Sequence, residues 1–307
     1  MSTPDDLPVI DIRGLSKRYG RLAAVRHLDL QVRRGEIFGF LGLNGAGKTT
    51  TIRILLDLLR PTAGSASVFG HDCRAHGLAV RASLGYLPGE LSLYADMTGR
   101  HVLDLLDHLA AHRAAPGYRR ALCDRFSLSE ADLDRRLREY SAGMKRKVGL
   151  VQAFQSDPPL LILDEPTEGL DPLMQEAFYD LLGEVRRRGH TVFMSSHVLS
   201  EVGRVCDRIG LLREGGLVLV APVDDVRRLA PRRVRVTFDG DVPAPDAGTP
   251  GPGISLADAQ PRTWTFDVRG PLGPLVARLS SMPVVDVQVE EPRLEDVIIS
   301  YYREGGR

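Results

Sequence analysis

Residues 36–50 read EIFGFLGLNGAGKTT, and this stretch decides the architecture. EIFGFLG is an apolar run with small residues, the pattern of a buried strand. A glycine-rich turn follows at 42–47. TTTIRILLDLLR then has helical spacing, and the predicted helix ends before Pro61. Together they fit G-x-x-x-x-G-K-[ST], with Gly42, Gly47, Lys48 and Thr49 at the fixed positions. Glycines let backbone N–H groups curl around phosphate oxygens with no Cβ in the way. The helix N-terminus adds partial positive charge. The candidate phosphate contacts are Asn44, Gly45, Ala46, Gly47, Lys48, Thr49 and Thr50. Lys48 is expected to reach β- and γ-phosphates, and the Thr49 hydroxyl to help hold Mg²⁺. The full pattern in this context displaces the reading as an ordinary glycine turn.

LLILDEP, residues 160–166, is the second signal. An apolar strand delivers Asp164 and Glu165 at its carboxyl end, where α/β sheets bind ligands. One carboxylate can bind a metal, directly or through water, and the next can polarise an attacking water. Alone, two acids at a strand end are commonly solvated turn residues; beside the phosphate motif they read as catalytic. TVFMSS (191–196) is a third apolar strand, and LPVIDIR (7–13) and LDLQV (28–32) are short ones. Helices are expected at 100–111, 119–126, 142–155 with Ser141 as N-cap, 172–188 and 198–206. RIGLLREGGLVLV reads as a hairpin turning at Glu214-Gly215-Gly216. Alternating strands and helices imply an α/β core with a largely parallel sheet.

After about Ala221 the composition changes. Residues 240–262, dense in Pro, Gly and Asp, are expected to form a mobile loop. Strand patterns at RRVRVTF, TWTFDV and VVDVQVE surround it, with helices near 271–281 and 293–303. Two domains are therefore expected: a nucleotide-binding domain over 7–221, and a small α+β accessory domain over 222–307.

The chain has 307 residues, 43% hydrophobic and 26% charged, which excludes a disordered chain, a coiled coil and a collagen. Lys+Arg and Asp+Glu are 40 each, so the net charge is zero, which argues against a broadly basic nucleic-acid binder. Lys17, Lys48, Lys145 and Lys147 are the only lysines. Cys73, Cys123 and Cys206 show no metal or disulfide spacing, so a reducing cytosol is expected. No signal peptide opens the chain, and no apolar run approaches the ~18 residues needed to cross a membrane.

These elements, with several more in order, resemble the nucleotide-binding subunits of ABC transporters over roughly residues 8–220. The resemblance implies a P-loop ATPase core with a helical signature subdomain at about 88–155. Tyr19 in LSKRYG sits where the family places an adenine-stacking aromatic. YSAGMKRK (140–147) looks like the signature loop, whose Ser141 and Gly143 would face a γ-phosphate held by the other subunit. EGLDP (168–172) resembles the D-loop, with Asp171 at the dimer seam. SSH (195–197) resembles the switch element, with His197 placed to contact the γ-phosphate. Taken singly, Tyr19 is a packing aromatic, His197 a satisfied polar residue, and Lys145, Arg146 and Lys147 a solvated helix face. Their common order overturns those readings.

Two features depart from the family pattern. LGYLPGE (84–90) has Gly89 and then Glu90 where the family has a metal-ligating Gln. Glu90 is either a metal or water contact or a coupling-loop residue with no metal role. Ala142 stands where many members have Gly, a mark of exporters that pair with type-2 permeases. YLPGE, SAGMK and the terminal LEDVIISYY (294–302) point to the same drug- and antibiotic-export subclass.

The resemblance implies two copies sandwiching two ATP molecules, with Glu165 as general base and Lys48, Ser141 and His197 gathered on the γ-phosphate. It implies a homodimer, a separate integral membrane permease docking near residues 85–110 (Leu87, Leu91, Leu93, Tyr94, Met97), and a cytoplasmic, peripheral place on the inner face of the cell membrane. The apolar cluster at 85–110 reads equally as ordinary subdomain core. Two other readings compete: a soluble ABC-type ATPase acting on ribosomes or nucleic acid, and a subunit that holds ATP but hydrolyses it poorly.

Overall fold

The computed structural model describes residues 7–111, 113–243, 251, 253–290 and 294–303. The chain forms two compact units, one up to Ala221 and one from Pro222 onward.

The first unit opens with β1 (Ile10–Tyr19) and β2 (Leu22–Val32), an antiparallel hairpin. Both strands are longer than the apolar patches at 7–13 and 28–32. Register shifts between Ile12 and Lys17 break the period-two pattern there, so the polar half of the hairpin carries no hydropathy signal. β3 (Ile37–Leu41) is wholly buried, and α1 (Lys48–Leu55) follows the glycine turn. The helix stops short of the expected end before Pro61. Asp57 takes a left-handed conformation (φ 55°), and the Leu58 and Leu59 amides both return to the Arg53 carbonyl. β4 (Ala63–Val68) and β5 (His71–Asp72) complete a four-stranded sheet in the order β2-β1-β4-β5.

α2 (Gly77–Ala82) leads into β6 (Leu84–Leu87). Then come α3 (Gly99–Leu109), α4 (Tyr118–Arg125), α5 (Glu130–Leu133) and α6 (Ala142–Phe154). The rest of the unit is β7 (Leu160–Asp164), α7 (Pro172–Arg187), β8 (Thr191–Ser196), α8 (Leu199–Val205), β9 (Arg208–Arg213) and β10 (Gly216–Pro222). Glu214 and Gly215, both at positive φ, make the turn between the last two strands.

The second sheet has the order β10-β9-β3-β8-β7-β6, and its five strands from β9 to β6 pair in parallel. That order positions the site. β8 lies between β3 and β7, so the carboxyl ends of these three strands, followed by residues 42–50, 197 and 165, emerge side by side. β6 went unread in the sequence because LGYL is too short to separate from its surroundings. α1 packs below this edge, and Ile52, Ile54 and Leu55 join Phe38, Phe40, Ile162 and Phe193 in the main core.

The second unit begins with α9 (Val223–Leu229) and β11 (Arg232–Phe238). β12 (Ile254–Gln260), β13 (Thr263–Val268), α10 (Gly273–Leu279), β14 (Val284–Glu290) and α11 (Leu294–Arg303) follow. The sheet is antiparallel in the order β12-β13-β11-β14. Val234, Val236 and Phe238 alternate with polar residues and meet Trp264, Phe266 and Leu275 in a separate core. The stretch 240–262, expected as a mobile loop, contains β12. ISLADAQ is an edge strand with most side chains exposed, so it shows no apolar period, yet its backbone pairs along β13. Residues 244–250 and 252 of that stretch lie outside the described residues.

All three cysteines are buried and free. Burial, helped by Asp72 and Asp57, pushes the Cys73 thiol up to about 12, and burial raises Cys123 and Cys206 too. The thiolate is the reactive form. Native protein near neutral pH is therefore expected to react with a maleimide far more slowly than denatured protein, which takes three labels. Rapid full labelling of the native protein, followed by mass spectrometry, would contradict this burial.

Candidate active site

The glycine turn is shaped by close approaches as well as by conformation. Gly47 has φ 107°, and a Cβ there would sit 2.3 Å from the Ala24 carbonyl of β2. No other residue fits that position. Lys48 opens α1 and is buried; its Nζ donates to the Gly42 carbonyl at 2.6 Å. The turn is also pinned from β9–β10, where the Gly215 amide donates to the Ala46 carbonyl at 3.0 Å. Asn44, Gly45 and Thr49 are exposed on the loop, and Thr50 is half-buried behind them.

The carboxylates of the second motif meet this loop. Asp164, at the end of β7, is 1% exposed. The Thr49 hydroxyl donates to its Oδ2 at 2.9 Å, and the Ser195 hydroxyl donates to its Oδ1. Glu165 is the next residue and sits at φ 50°, a conformation that costs energy without glycine. Its amide is held by the carbonyl and hydroxyl of Ser195, at 3.2 and 3.1 Å. This aims the side chain across the loop. Oε1 lies 3.2 Å from Lys48 Nζ, and Oε2 lies 2.8 Å from His197 Nδ1. The structure thus gathers Lys48, Thr49, Asp164, Glu165 and His197 into one cluster. Burial, with a contribution from Asp164, raises the Tyr86 hydroxyl to about 12.

The other sequence candidates lie elsewhere. Ser141 caps α6, its hydroxyl accepting from the Met144 amide at 3.2 Å. Asp171 caps α7, accepting from the Met174 amide at 3.0 Å. A Cβ on Gly143 would stand 3.1 Å from the Gly169 carbonyl, so the 141–143 and 168–171 loops adjoin. Ser141 and Asp171 are exposed and make none of the contacts of the carboxylate cluster. Tyr19 is 47% exposed at the tip of the β1–β2 hairpin, with Lys17 Nζ 5.1 Å from its ring centre. Glu90 is exposed; Gly89 is the residue beside Asp164, where an added Cβ would lie 3.3 Å from Oδ2.

Two residues of the cluster were not singled out from the sequence. Ser195 is fully buried and holds both acids; its place as the penultimate residue of an apolar strand was the available signal. Arg146 is 4% exposed, not part of a solvated face with Lys145 and Lys147. It lies four residues before Leu150 and seven before Ala153, on the buried side of α6.

An oxygen set of one hydroxyl and one carboxylate suits a hard divalent cation that takes its other ligands from phosphate and water. Mg²⁺ therefore fits the residues present at Thr49 and Asp164.

Residues 25–168 match the ABC transporter family model. The daunorubicin resistance ATP-binding protein DrrA3 of Streptomyces coeruleorubidus is 35% identical over 309 residues, covering 94% of each chain. This chain belongs to the ATP-binding subunits of ABC transporters. The bacitracin transport ATP-binding protein BcrA of Bacillus licheniformis is 34% identical over 224 residues, 72% of each chain. Among solved structures, an ATP-binding subunit of an ABC transporter superposes with a TM-score of 0.66 at 33% identity, over 72% of this chain and 92% of that one. A dimeric bacterial ABC transporter cassette shares the fold at 22% identity, with a TM-score of 0.64 over 70% of this chain and 98% of that one. The ABC ATPase fold and ATP binding follow for this chain. No helix among the described residues is long and apolar enough to cross a membrane.

Proposed function

We propose that this ABC ATPase is the energising subunit of an exporter, working as a homodimer on a separate integral membrane permease. The observation that carries the reading is the split of the machinery. Lys48, Thr49, Asp164, Glu165 and His197 form one cluster, whereas Ser141 and Gly143, at the start of α6, adjoin the 168–171 loop, and the side chains of Ser141 and Asp171 cap local helices. A second copy supplies the missing half to each ATP. The γ-phosphate then joins Lys48 of one protomer to Ser141 of its partner, and hydrolysis removes that bridge.

Within a half-site, Glu165 is the base for the attacking water, and His197 holds its carboxylate in register while facing the γ-phosphate. Thr49 and Asp164 hold Mg²⁺, which neutralises phosphate charge. Tyr19 offers its exposed ring to adenine. Glu90 has no metal role in this reading; exposed beside half-buried Leu91 and Leu93, it belongs to the loop that meets the permease. Small-molecule export rests on the relatives, one a daunorubicin resistance protein and one a bacitracin transport protein. Such a subunit resides on the cytoplasmic side of the membrane; no nucleic-acid partner is implied.

Mild-detergent affinity purification from the native host tests the partner. An integral membrane protein at near 1:1 stoichiometry, identified by mass spectrometry, is expected. Ribosomal or DNA-repair proteins with no membrane protein would overturn the transport reading while leaving the ATP chemistry intact.

A further inference from the structure

We infer that Arg146 is the positioning residue that locks the general base to the 88–90 loop, so that movement of that loop is felt at Glu165. The inference rests on Glu165 being the base. Five hydrogen bonds leave this one guanidinium, all to backbone carbonyls. Nε donates to Pro166 at 3.1 Å. Nη1 donates to Pro88 at 2.8 Å and to Gly89 at 3.1 Å. Nη2 donates to Asp164 at 2.8 Å and to Glu165. One buried side chain thus joins the loop after β6, the turn after β7 and the first turns of α6. Only arginine has a rigid fork able to bond the 88–89 loop and residues 164–166 at once.

The geometry at Glu165 explains why this matters. Its left-handed backbone persists only if its surroundings hold it. Ser195 holds the amide on one side of the residue, and Arg146 holds the carbonyl on the other. The carboxylate direction, toward Lys48 and His197, follows from those two grips. Burial lowers the affinity of the guanidinium for its proton, while exposed Glu168, buried Asp164 and half-buried Glu165 pull it back. Displacing Pro88 and Gly89 removes two of the five acceptors and frees the fork to turn. The segment that follows, Glu90 to Asp96, alternates exposed and half-buried residues and ends in a surface run with Tyr94 68% exposed, so it is open to a docking partner.

The test uses the full chain as R146K, as E165Q and as the double variant, with ATPase kinetics, fluorescent-ATP binding and a thermal melt. R146K is expected to fold, to bind MgATP with wild-type affinity and KM, and to lose kcat by about 10- to 100-fold, the cost of a base displaced by up to about an ångström. In the E165Q background, with no base left to position, R146K is expected to lower turnover no further. R146Q, which keeps a planar donor, replaces R146K if the lysine variant melts below the assay temperature. A folded R146K with wild-type kcat, or an equal fractional loss in both backgrounds, overturns the inference. Full turnover in E165Q overturns the base, and the inference with it; an inactive E165Q beside a fully active R146K overturns the inference alone.

Discussion

Glu165→Gln is expected to lower ATP turnover by about 10²- to 10⁴-fold, the range a positioned general base supplies, while ATP binding survives. Gln has the same shape as Glu and keeps an acceptor for Lys48 Nζ, now 3.2 Å from Oε1. It cannot take a proton from water. The change touches neither the glycine turn nor the Thr49–Asp164 pair, so the contacts that hold nucleotide remain. It also removes one negative charge from beside the γ-phosphate, which favours the bound state. In the proposed sandwich ATP fills the seam, so with the chemical step blocked and binding intact the closed dimer is expected to accumulate. Light scattering with MgATP is therefore expected to give twice the monomer mass for E165Q. A monomer under those conditions counts against the sandwich; turnover at the wild-type rate removes Glu165 from the role of base.

The cluster behind that prediction was legible because its parts sit at ends of buried strands. IFGFL, LLIL and VFM are apolar runs, and each gives way to polar residues at or after its carboxyl end: Lys48 and Thr49, Asp164 and Glu165, and Ser195 to His197. What the sequence did not show was the lateral order of the strands, with β8 between β3 and β7. That order is what makes the three ends neighbours, and it depends on crossovers that leave no mark in local hydropathy.

The misreadings have a common physical cause. β12 and β2 lie at sheet edges, where many side chains face water, and β1 loses its alternation at register shifts; backbone pairing holds all three. α1 stops at Asp57 through a backbone conformation, although the apolar pattern of Leu58 and Leu59 continues. The burial of Arg146 left no local signal for a different reason. Burial of a charge is improbable residue by residue, and it is stable here only because five carbonyls from two distant segments, 88–89 and 164–166, converge on it. Such convergence is a property of the fold, not of residues 145–147. The half-site reading comes from the family resemblance; in the structure Ser141 and Asp171 are both helix caps with exposed side chains.

Lys48→Ala is expected to weaken ATP binding and lower kcat/KM by at least about 10²-fold, the effect of removing one preorganised charge-stabilising group from a phosphoryl-transfer site. The ammonium is buried, 6% exposed, and placed between the Gly42 carbonyl and Glu165. A positive charge in so dry a position acts on a neighbouring phosphate with little screening. Alanine removes the charge and leaves Glu165 facing the incoming phosphates with only His197 beside it. Binding and turnover therefore fall together, unlike E165Q, where turnover alone falls. Lys48→Arg is not expected to restore activity: the guanidinium is broader than the ammonium, and the gap between the Gly42 carbonyl and Glu165 Oε1 is spanned by a single Nζ at 2.6 and 3.2 Å. Fluorescent-ATP titration beside steady-state kinetics separates the two variants. Wild-type affinity in K48A, with loss confined to kcat, would show that the lysine acts on the transition state and not on bound ATP; unchanged kcat and KM would remove the glycine turn from the nucleotide site altogether.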